Sequence, residues 1–318
     1  MRRMVLSLIT RAAITAFAFW WVLRLVDLNS LKQVLASADR FWLLASLGVF
    51  TLGQFGCIIR WGLLVPAHPS VRWPFLMDSF FVAQFFNMFL PTTVGGDVMR
   101  GYDLIKATGE WRPALASILV DRLVGFVGFL LFSLAAWMAF PAAREDPLVR
   151  SAFFGYCALV LVTFAVLGSR RVLQTMLRPF SKIGLGALQS HAKQFQEALR
   201  AYLQQPKRLL AAFGVTIFVQ ILAILIFAFA SKALHLPIPL LYLVLIVPII
   251  ITLAQVPVSL NGWGIREGAT VLFLGRIGIQ AAQAFSLSLV CAVIPLLSGM
   301  AGAGLFLLRR QRKARKAV

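Results

Sequence analysis

Charged side chains are scarce in this chain. Only 13% of its 318 residues are charged, whereas 60% are hydrophobic. The mean hydropathy of +0.85 exceeds what a water-soluble domain tolerates, because such a domain needs a polar surface. The apolar runs are continuous and do not alternate in strands of roughly ten residues, which argues against a membrane barrel. The composition therefore predicts an all-α polytopic membrane protein.

Residues that form disulfides or bind metals are also few. The three cysteines, Cys57, Cys157 and Cys291, lie far apart inside apolar runs, so we expect no disulfide. The three histidines are scattered and lack the spacing of a metal site. Neither a nucleophile triad nor a phosphate-binding loop is present in the sequence. We therefore expect no metal, no cofactor and no enzymatic activity.

Acidic residues are outnumbered by basic ones, 11 to 31, which gives a net charge of +20. In so apolar a chain, we expect this surplus to fix the topology and to contact anionic lipid head groups. No basic soluble module is present to indicate a nucleic-acid partner. The basic residues concentrate at the N-terminus, in residues 169–208 and in a C-terminal tail, 309–318. The positive-inside rule places all three segments in the cytoplasm.

Hydropathy and charge together limit the topology. Eight full spans would place residues 169–208 outside the cell, against that rule. About six full transmembrane helices plus two re-entrant hairpins, at about 74–108 and 240–276, satisfy it. The hairpins then enter from opposite sides as an inverted repeat. The apolar segments lie at about 5–26, 41–65, 74–90, 113–140, 151–168, 209–234, 240–256 and 282–308.

The connecting segments contain no linker that would divide the chain, so residues 1–318 are predicted to form one integral membrane domain. Residues 27–40 and 141–150 carry charges that cancel, and we interpret both as exterior loops. Residues 181–205, within the basic segment 169–208, have apolar positions at helical spacing. They predict an amphipathic helix on the cytoplasmic surface, either as a cap over the bundle or as a lipid-sensing element.

Two short segments repeat one pattern at the predicted hairpin turns. Glycine follows proline by five residues, and arginine follows it by nine, in both Pro91–Arg100 and Pro257–Arg266. Paired Gly/Pro-interrupted segments in the two halves of a membrane protein indicate a transport site. Re-entrant backbone is tolerated only where it is buried in protein or lines a wet cavity. We therefore expect the two turns to face each other at the centre of the molecule.

The first turn places two glycines before an acid and a base. Gly95 and Gly96 permit positive φ and close backbone approach. A helix that begins near Asp97 points free N–H groups and a positive dipole end at the turn. Asp97 either caps this helix or acts on a ligand or proton. We favour the second role, because Arg100 is one turn away and an acid inside the membrane is costly.

The second turn repeats this chemistry with Gly262 and Gly264, followed by Arg266 and Glu267. Asn261 supplies an amide at the turn. The alternative for the arginine and the glutamate is an exposed ion pair at the outer surface.

Asp121 and Arg122 lie inside a long apolar run. At 1.5 Å per residue, Asp121 is roughly 12–15 Å from the predicted helix start, close to the middle of the bilayer. Neighbouring residues point about 100° apart on a helix, so each needs its own partners on other elements. The pair either fixes helix register or belongs to a functional site, and we favour the site. Arg60, in contrast, is predicted near a span end, where it can snorkel.

The candidate substrate-binding site thus combines both turns with the charged pair. Residues of the type of Asn87 more often make interhelical hydrogen bonds than bind ligands, and the same holds for Gln54, Gln84, Gln220 and Gln255. The residues are Asn87, Pro91, Gly95, Gly96, Asp97, Arg100, Asp121, Arg122, Pro257, Asn261, Gly262, Gly264, Arg266 and Glu267.

These motifs carry a family resemblance. The runs Asn87–Arg100, Ser117–Gly125 and Pro257–Glu267 together resemble the transmembrane, flippase-like region of lysylphosphatidylglycerol synthases, over nearly the whole chain. In the fused synthases this region is associated with moving aminoacylated phospholipid, while a soluble domain transfers the aminoacyl group. The chain ends soon after the last apolar run. The resemblance therefore implies a stand-alone membrane member.

The sequence and the resemblance together predict a membrane lipid translocase. Its substrate would be a phosphate-bearing lipid, such as an aminoacylated phospholipid or a polyisoprenoid-linked or hopanoid lipid. Arg100, Arg122 and Arg266 would hold the phosphate. The acids Asp97, Asp121 and Glu267 would balance charge or couple protons. The alternatives are a secondary transporter or channel for a small solute or ion, and a non-catalytic accessory protein of a lipid-modifying or glycosyl-transfer pathway. The expected partners are anionic membrane lipids and such an enzyme. The expected location is the bacterial cytoplasmic (inner) membrane.

Overall fold

The computed structural model describes residues 2–89, 95–169, 197–256 and 259–316. Within these ranges the chain is helical and has no strand, which confirms the all-α class. In chain order the helices are α1 (Arg2–Leu25), α2 (Leu28–Ala36), α3 (Arg40–Leu64), α4 (Trp73–Phe89), α5 (Gly95–Thr108), α6 (Trp111–Ala139), α7 (Ala142–Glu145), α8 (Pro147–Gly168), α9 (Pro206–Ala233), α10 (Leu240–Gln255), a 3-10 turn (Leu260–Gly262), α11 (Ile265–Gly275) and α12 (Ala281–Lys316).

Five of the described helices, α3, α6, α8, α9 and α12, are long and apolar enough to cross a membrane. A sixth candidate arises if α1 and α2, which meet at an 85° bend, count as one broken span. By length and composition, this agrees with the prediction of about six spans.

Residues 27–40 are not the plain loop that the sequence suggested, because most of them form α2. The Asp27 carboxylate accepts hydrogen bonds from the backbone N–H groups of Asn29 and Ser30. It therefore satisfies donors that the start of a helix leaves unpaired. The helix it caps packs against α12.

Two pairs of short helices occupy the ranges predicted for the hairpins. In α4 and α10, 17 and 16 residues rise only about 24–26 Å, less than the ~30 Å hydrocarbon core of a bilayer. In each pair the second helix folds back onto the first. Gly96 of α5 lies against the Ala83 carbonyl of α4, and Gly262 lies against the Ala254 carbonyl of α10. Entry of the two hairpins from opposite sides stays a prediction.

The second hairpin forms the centre of the largest core. Helix α10 is apolar on all sides and buried from Leu245 to Ile250, which is typical of a helix surrounded by protein. The Tyr242 hydroxyl donates to the Phe273 carbonyl at 2.7 Å and so ties α10 to α11. Around this core, α6 packs on α10, α3 lies along α9, and α12 lies along α4.

The basic segments differ from expectation at the C-terminal end. Helix α12 continues to Lys316, so the predicted tail begins as part of the last helix. The Arg309 guanidinium pairs with Asp78 of α4 at 2.5 Å and with Asp103 of α5 at 2.8 Å. This arginine therefore holds both arms of the first hairpin. Of the predicted amphipathic helix at 181–205, residues 181–196 lie outside the described residues.

Candidate functional site

The first turn is shaped by a close approach between helices. The Gly96 N–H donates to the Asn87 side-chain oxygen at 2.6 Å, so Asn87 satisfies an unpaired donor at the start of α5. A β-carbon on Gly96 would collide with the Ala83 carbonyl and the Asn87 side chain. Close packing, and not a positive φ, is therefore what requires glycine here. Pro91 lies outside the described residues.

A ladder of alternating charges starts from this turn. One oxygen of Asp97 accepts from Arg100, and the other accepts from Arg122. Arg100 also donates to Asp121 at 3.3 Å. The other oxygen of Asp121 accepts from Arg60 of α3 at 2.6 Å. The sequence left open whether Asp97 caps α5 or takes part in a site, and the structure shows it binding two arginines.

The members of this ladder are removed from water. Arg60, Asp97, Arg100 and Asp121 are at most 9% exposed, whereas the Arg122 side chain is 24% exposed. Arg60 does lie near the end of α3, one turn before Leu64, but the prediction that it snorkels is wrong, because its side chain is buried and pairs with Asp121. Sequence reasoning missed its role. One signal could have identified Arg60: Asp121 lies at mid-membrane depth and therefore needs partners on other helices.

Aromatic rings hold the central arginine in place. The Arg100 guanidinium carbon lies 5.1 Å from the centre of the Trp61 ring and 5.7 Å from that of Phe80. Rings at this distance attract a cation through their negative faces. They also confine the side chain, so its hydrogen-bonding groups stay directed at Asp97 and Asp121. The site is therefore preorganised by α3, α4, α5 and α6.

The ladder reaches the second hairpin through one hydrogen bond. Arg122 of α6 donates to the side-chain oxygen of Gln255, near the end of α10, at 2.6 Å. Since Gln255 directly precedes the second turn, this contact joins the two hairpins. The sequence ranked this glutamine among residues that more often pack helices than bind ligands, and so gave no reason to single it out.

A cavity of about 390 Å³ lies beside the ladder. Its polar surface comes from the five charged side chains and from amides, and its apolar surface from aromatic and aliphatic groups. The residues that line it are Gln54, Cys57, Arg60, Phe80, Ala83, Gln84, Asn87, Asp97, Arg100, Asp121, Arg122, Gly125, Phe126, Phe129, Val219, Gln220, Ala223, Ile251 and Gln255. Such a surface suits a ligand with an anionic centre and neutral hydrogen-bonding groups.

The second turn is built differently from the first. Gly262 and Gly264 adopt φ of +73° and +83°, and Asn261 adopts +50°, so here the left-handed conformation does favour glycine. A β-carbon on Gly264 would lie 2.6 Å from the β-carbon of Ala18 in α1. The turn is thus wedged against the first helix. Pro257 lies outside the described residues.

The charges of the second turn pair locally. Glu267 is fully buried, accepting from the Gly264 N–H at 2.6 Å and from Arg266 at 2.6 Å. This buried pair is not the exposed ion pair that the sequence left open. Arg266 stacks on Trp263, 4.9 Å from the ring centre. The prediction that Arg266 joins Arg100 and Arg122 at one site is wrong for this structure, because it is bound to its neighbour and does not line the cavity.

A comparison of the sequence with known protein families finds a match that includes all residues of this site. The family model for the lysylphosphatidylglycerol synthase TM region matches residues 8–303, which include both hairpins and every member of the ladder. The chain belongs to this family. No curated protein matches the chain. As a member of the lysylphosphatidylglycerol synthase TM region family, it is an integral membrane protein whose charged cluster lies between helices of the matched region.

Proposed function

We propose that this protein is a membrane lipid translocase, and that the cavity beside the ladder takes a phosphate-bearing lipid head group. Membership of a family named for the membrane region of a lipid synthase supports a role in lipid handling. The observation that carries the proposal is the charge of the buried ladder. Three arginines against two aspartates leave it with a net charge of +1.

An unbalanced positive charge away from water is costly, because the protein interior solvates it poorly. A phosphodiester carries one negative charge and offers several acceptor oxygens to guanidinium groups. Binding of such a group at the ladder brings the local charge to zero. The cavity therefore favours an anionic phosphate head group over an uncharged one.

The residues of the ladder have separate roles in this proposal. Arg122, the most exposed of the three arginines, contacts the phosphate first, and Arg100 contacts it deeper in the cavity. Asp121 positions Arg100 through their ion pair, and Arg60 in turn holds Asp121. The amides of Gln84 and Gln220, which also line the cavity, serve the uncharged part of the head group.

The hydrocarbon tail stays in the bilayer, so only the polar head needs a wet path. We infer a location in the bacterial cytoplasmic membrane with both termini in the cytoplasm, because the positive-inside rule assigns the basic segments to that side. A lipid-modifying or glycosyl-transfer enzyme that supplies or consumes the lipid is the partner that this role requires.

The test is head-group movement by purified protein in liposomes. A fluorescent anionic phospholipid is placed in both leaflets, and a membrane-impermeant quencher reports how fast the inner leaflet becomes accessible. We expect wild-type protein to move the lipid and both Arg100→Ala and Arg122→Ala to abolish movement.

The matched control is Arg276→Ala. It removes an arginine that pairs with Asp146 at 3.1 Å, far along the chain from the ladder and 46% exposed. Equal rates in wild type, Arg100→Ala and Arg122→Ala would contradict the proposal. Uptake of a small solute without lipid movement would identify a solute transporter instead.

A further inference from the structure

A second concave surface, distinct from the polar cavity, lies between α3 and α12 and is closed at one end by α2. Its volume is about 430 Å³, and all of its lining side chains are aliphatic. Leu44 is 68% exposed and Leu297 is 48% exposed, so the groove is open on its outer side. The lining residues are Leu35, Leu43, Leu44, Leu47, Leu289, Val290, Val293, Ile294 and Leu297.

The groove and the polar cavity share one stripe of α3. Leu43, Leu47 and Gln54 are spaced by four and seven residues, so they lie on the same face of the helix. The two leucines line the groove, and Gln54 lines the cavity. On α12, Ser298 follows Ile294 of the groove by four residues. The groove therefore leads along both helices towards the cavity.

A hydrogen bond between α3 and α12 lies where the two spaces approach each other. The Gln54 side-chain amide donates to the Ser298 hydroxyl at 3.4 Å. This length exceeds the usual range of about 2.7–3.2 Å for such bonds, and neither group is charged, so the bond is weak. Helix α3 packs more closely on α9 than on α12. The pair is thus a contact that can part without breaking a tightly packed interface.

The distance along α3 from the far end of the groove to the cavity matches one chain of a lipid. From Leu43 to Gln54 the helix rises about 16 Å, close to the ~15 Å depth of one leaflet's hydrocarbon. A lipid whose phosphate lies at the ladder needs an apolar path of this length that starts at the cavity. On α12 the groove reaches Leu297, the neighbour of Ser298, and its aliphatic lining is open on its outer side.

We infer that this groove holds the hydrocarbon tail of the lipid whose head group occupies the cavity, and that Gln54 and Ser298 form the opening through which the head group enters. The inference rests on the proposed function. It assigns the substrate a two-part site, with the anionic head at the arginines and one acyl or isoprenoid chain between α3 and α12.

The test uses an anionic phosphodiester lipid with a photoactivatable group in its acyl chain, incorporated in vesicles with the full-length protein. After illumination, mass spectrometry maps the labelled residues. We expect labelling concentrated at 43–47 and 289–297. We also expect Arg122→Ala to reduce this labelling to the level of an uncharged diacylglycerol probe of the same chain length, because the tail is held there by the head group.

Groove-filling variants separate a specific tail from ordinary surrounding lipid. Leu44→Trp and Val293→Trp are expected to remove the labelling and to slow head-group movement. Both positions are more than 45% exposed, so a larger side chain has room there without entering the core. The matched control is Leu161→Trp, which changes a leucine 66% exposed on α8, a helix that does not line the groove, and is expected to behave as wild type.

The outcomes distinguish the two claims. Labelling at the groove that is the same for both probes and unchanged by Arg122→Ala would overturn the inference, since it would show only surrounding lipid. Unchanged lipid movement in Leu44→Trp and Val293→Trp would overturn the assignment of the groove as the tail site. It would leave the proposal of a lipid translocase unaffected. No lipid movement in the wild type, with head-group-dependent labelling present, would overturn the translocase alone.

Discussion

Arg122 and Gln255 lie 133 positions apart in the chain, yet their side chains meet at 2.6 Å. The arginine belongs to the ladder beside the first hairpin, and the glutamine ends the first arm of the second hairpin. Arg122 also holds Asp97 at the first turn. A single guanidinium therefore links the two hairpins. A phosphate bound in the cavity is expected to compete with Asp97 and Gln255 for the N–H groups of Arg122.

The first prediction concerns this link. Gln255→Leu keeps the volume of the side chain and removes its acceptor, so we expect stability to fall by about 1.5–3 kcal/mol, as for a lost hydrogen bond to a charged group. The rate of lipid movement should fall by more than the loss of folded protein alone would cause, because Arg122 loses its fixed orientation. Thermal unfolding and the liposome assay measure the two effects. Thr163→Ala, which removes an exposed hydroxyl on α8, is the control.

The second prediction uses the charge balance of the ladder. Asp121→Asn leaves Arg60 and Arg100 without their shared carboxylate and raises the net charge to +2, so we expect a loss of about 3–5 kcal/mol, typical of a broken buried pair. The double variant Arg60→Gln with Asp121→Asn returns the charge to +1. It should therefore unfold at a higher temperature than Asp121→Asn alone. A double variant less stable than the single one would contradict the assigned pairing.

The third prediction concerns the close approach at the first turn. Gly96→Ala places a methyl group against the Ala83 carbonyl and the Asn87 side chain, so α5 must shift away from α4. We expect a destabilisation of about 1–3 kcal/mol, as for overpacking, and reduced lipid movement. Gly155→Ala is the matched control, because a β-carbon there has open space within a helix. That change should leave stability unaltered or raise it by about 0.5–1 kcal/mol.

The fourth prediction concerns the far end of the first hairpin. Arg309→Ala removes the group that binds both Asp78 and Asp103. The three side chains are partly exposed, so the loss of stability is expected to be only about 1 kcal/mol. Hydrogen exchange should nevertheless rise in both α4 and α5, since one cation holds both arms. Faster exchange in α12 alone, with both arms unchanged, would show that the hairpin does not depend on this clamp.

The sequence predicted much of the architecture because hydropathy and charge act over whole segments. Long apolar runs defined α3, α6, α8, α9 and α12, and the Gly/Pro pattern located both hairpins within a few residues. The helix at Leu28–Ala36 was missed, since it is short and its cap, Asp27, was interpreted only as a loop charge.

The site was predicted less completely, because pairing depends on tertiary packing. The repeated spacing of arginines suggested that Arg100 and Arg266 act together. In the structure, each arginine is held by the acid nearest to it after folding: Asp97 in one turn and Glu267 in the other. Arg60 entered the ladder because α3 crosses α6 at Asp121, a contact that no spacing within the chain encodes.

The most direct measurement of the central claim is an experimental structure of the protein in a bilayer disc that contains an anionic phospholipid. The account predicts density for a phosphate within hydrogen-bonding distance of Arg122 and Arg100, with the head group inside the cavity. Phosphate density at Arg266, or an ordered lipid bound elsewhere while the cavity holds only water, would contradict it.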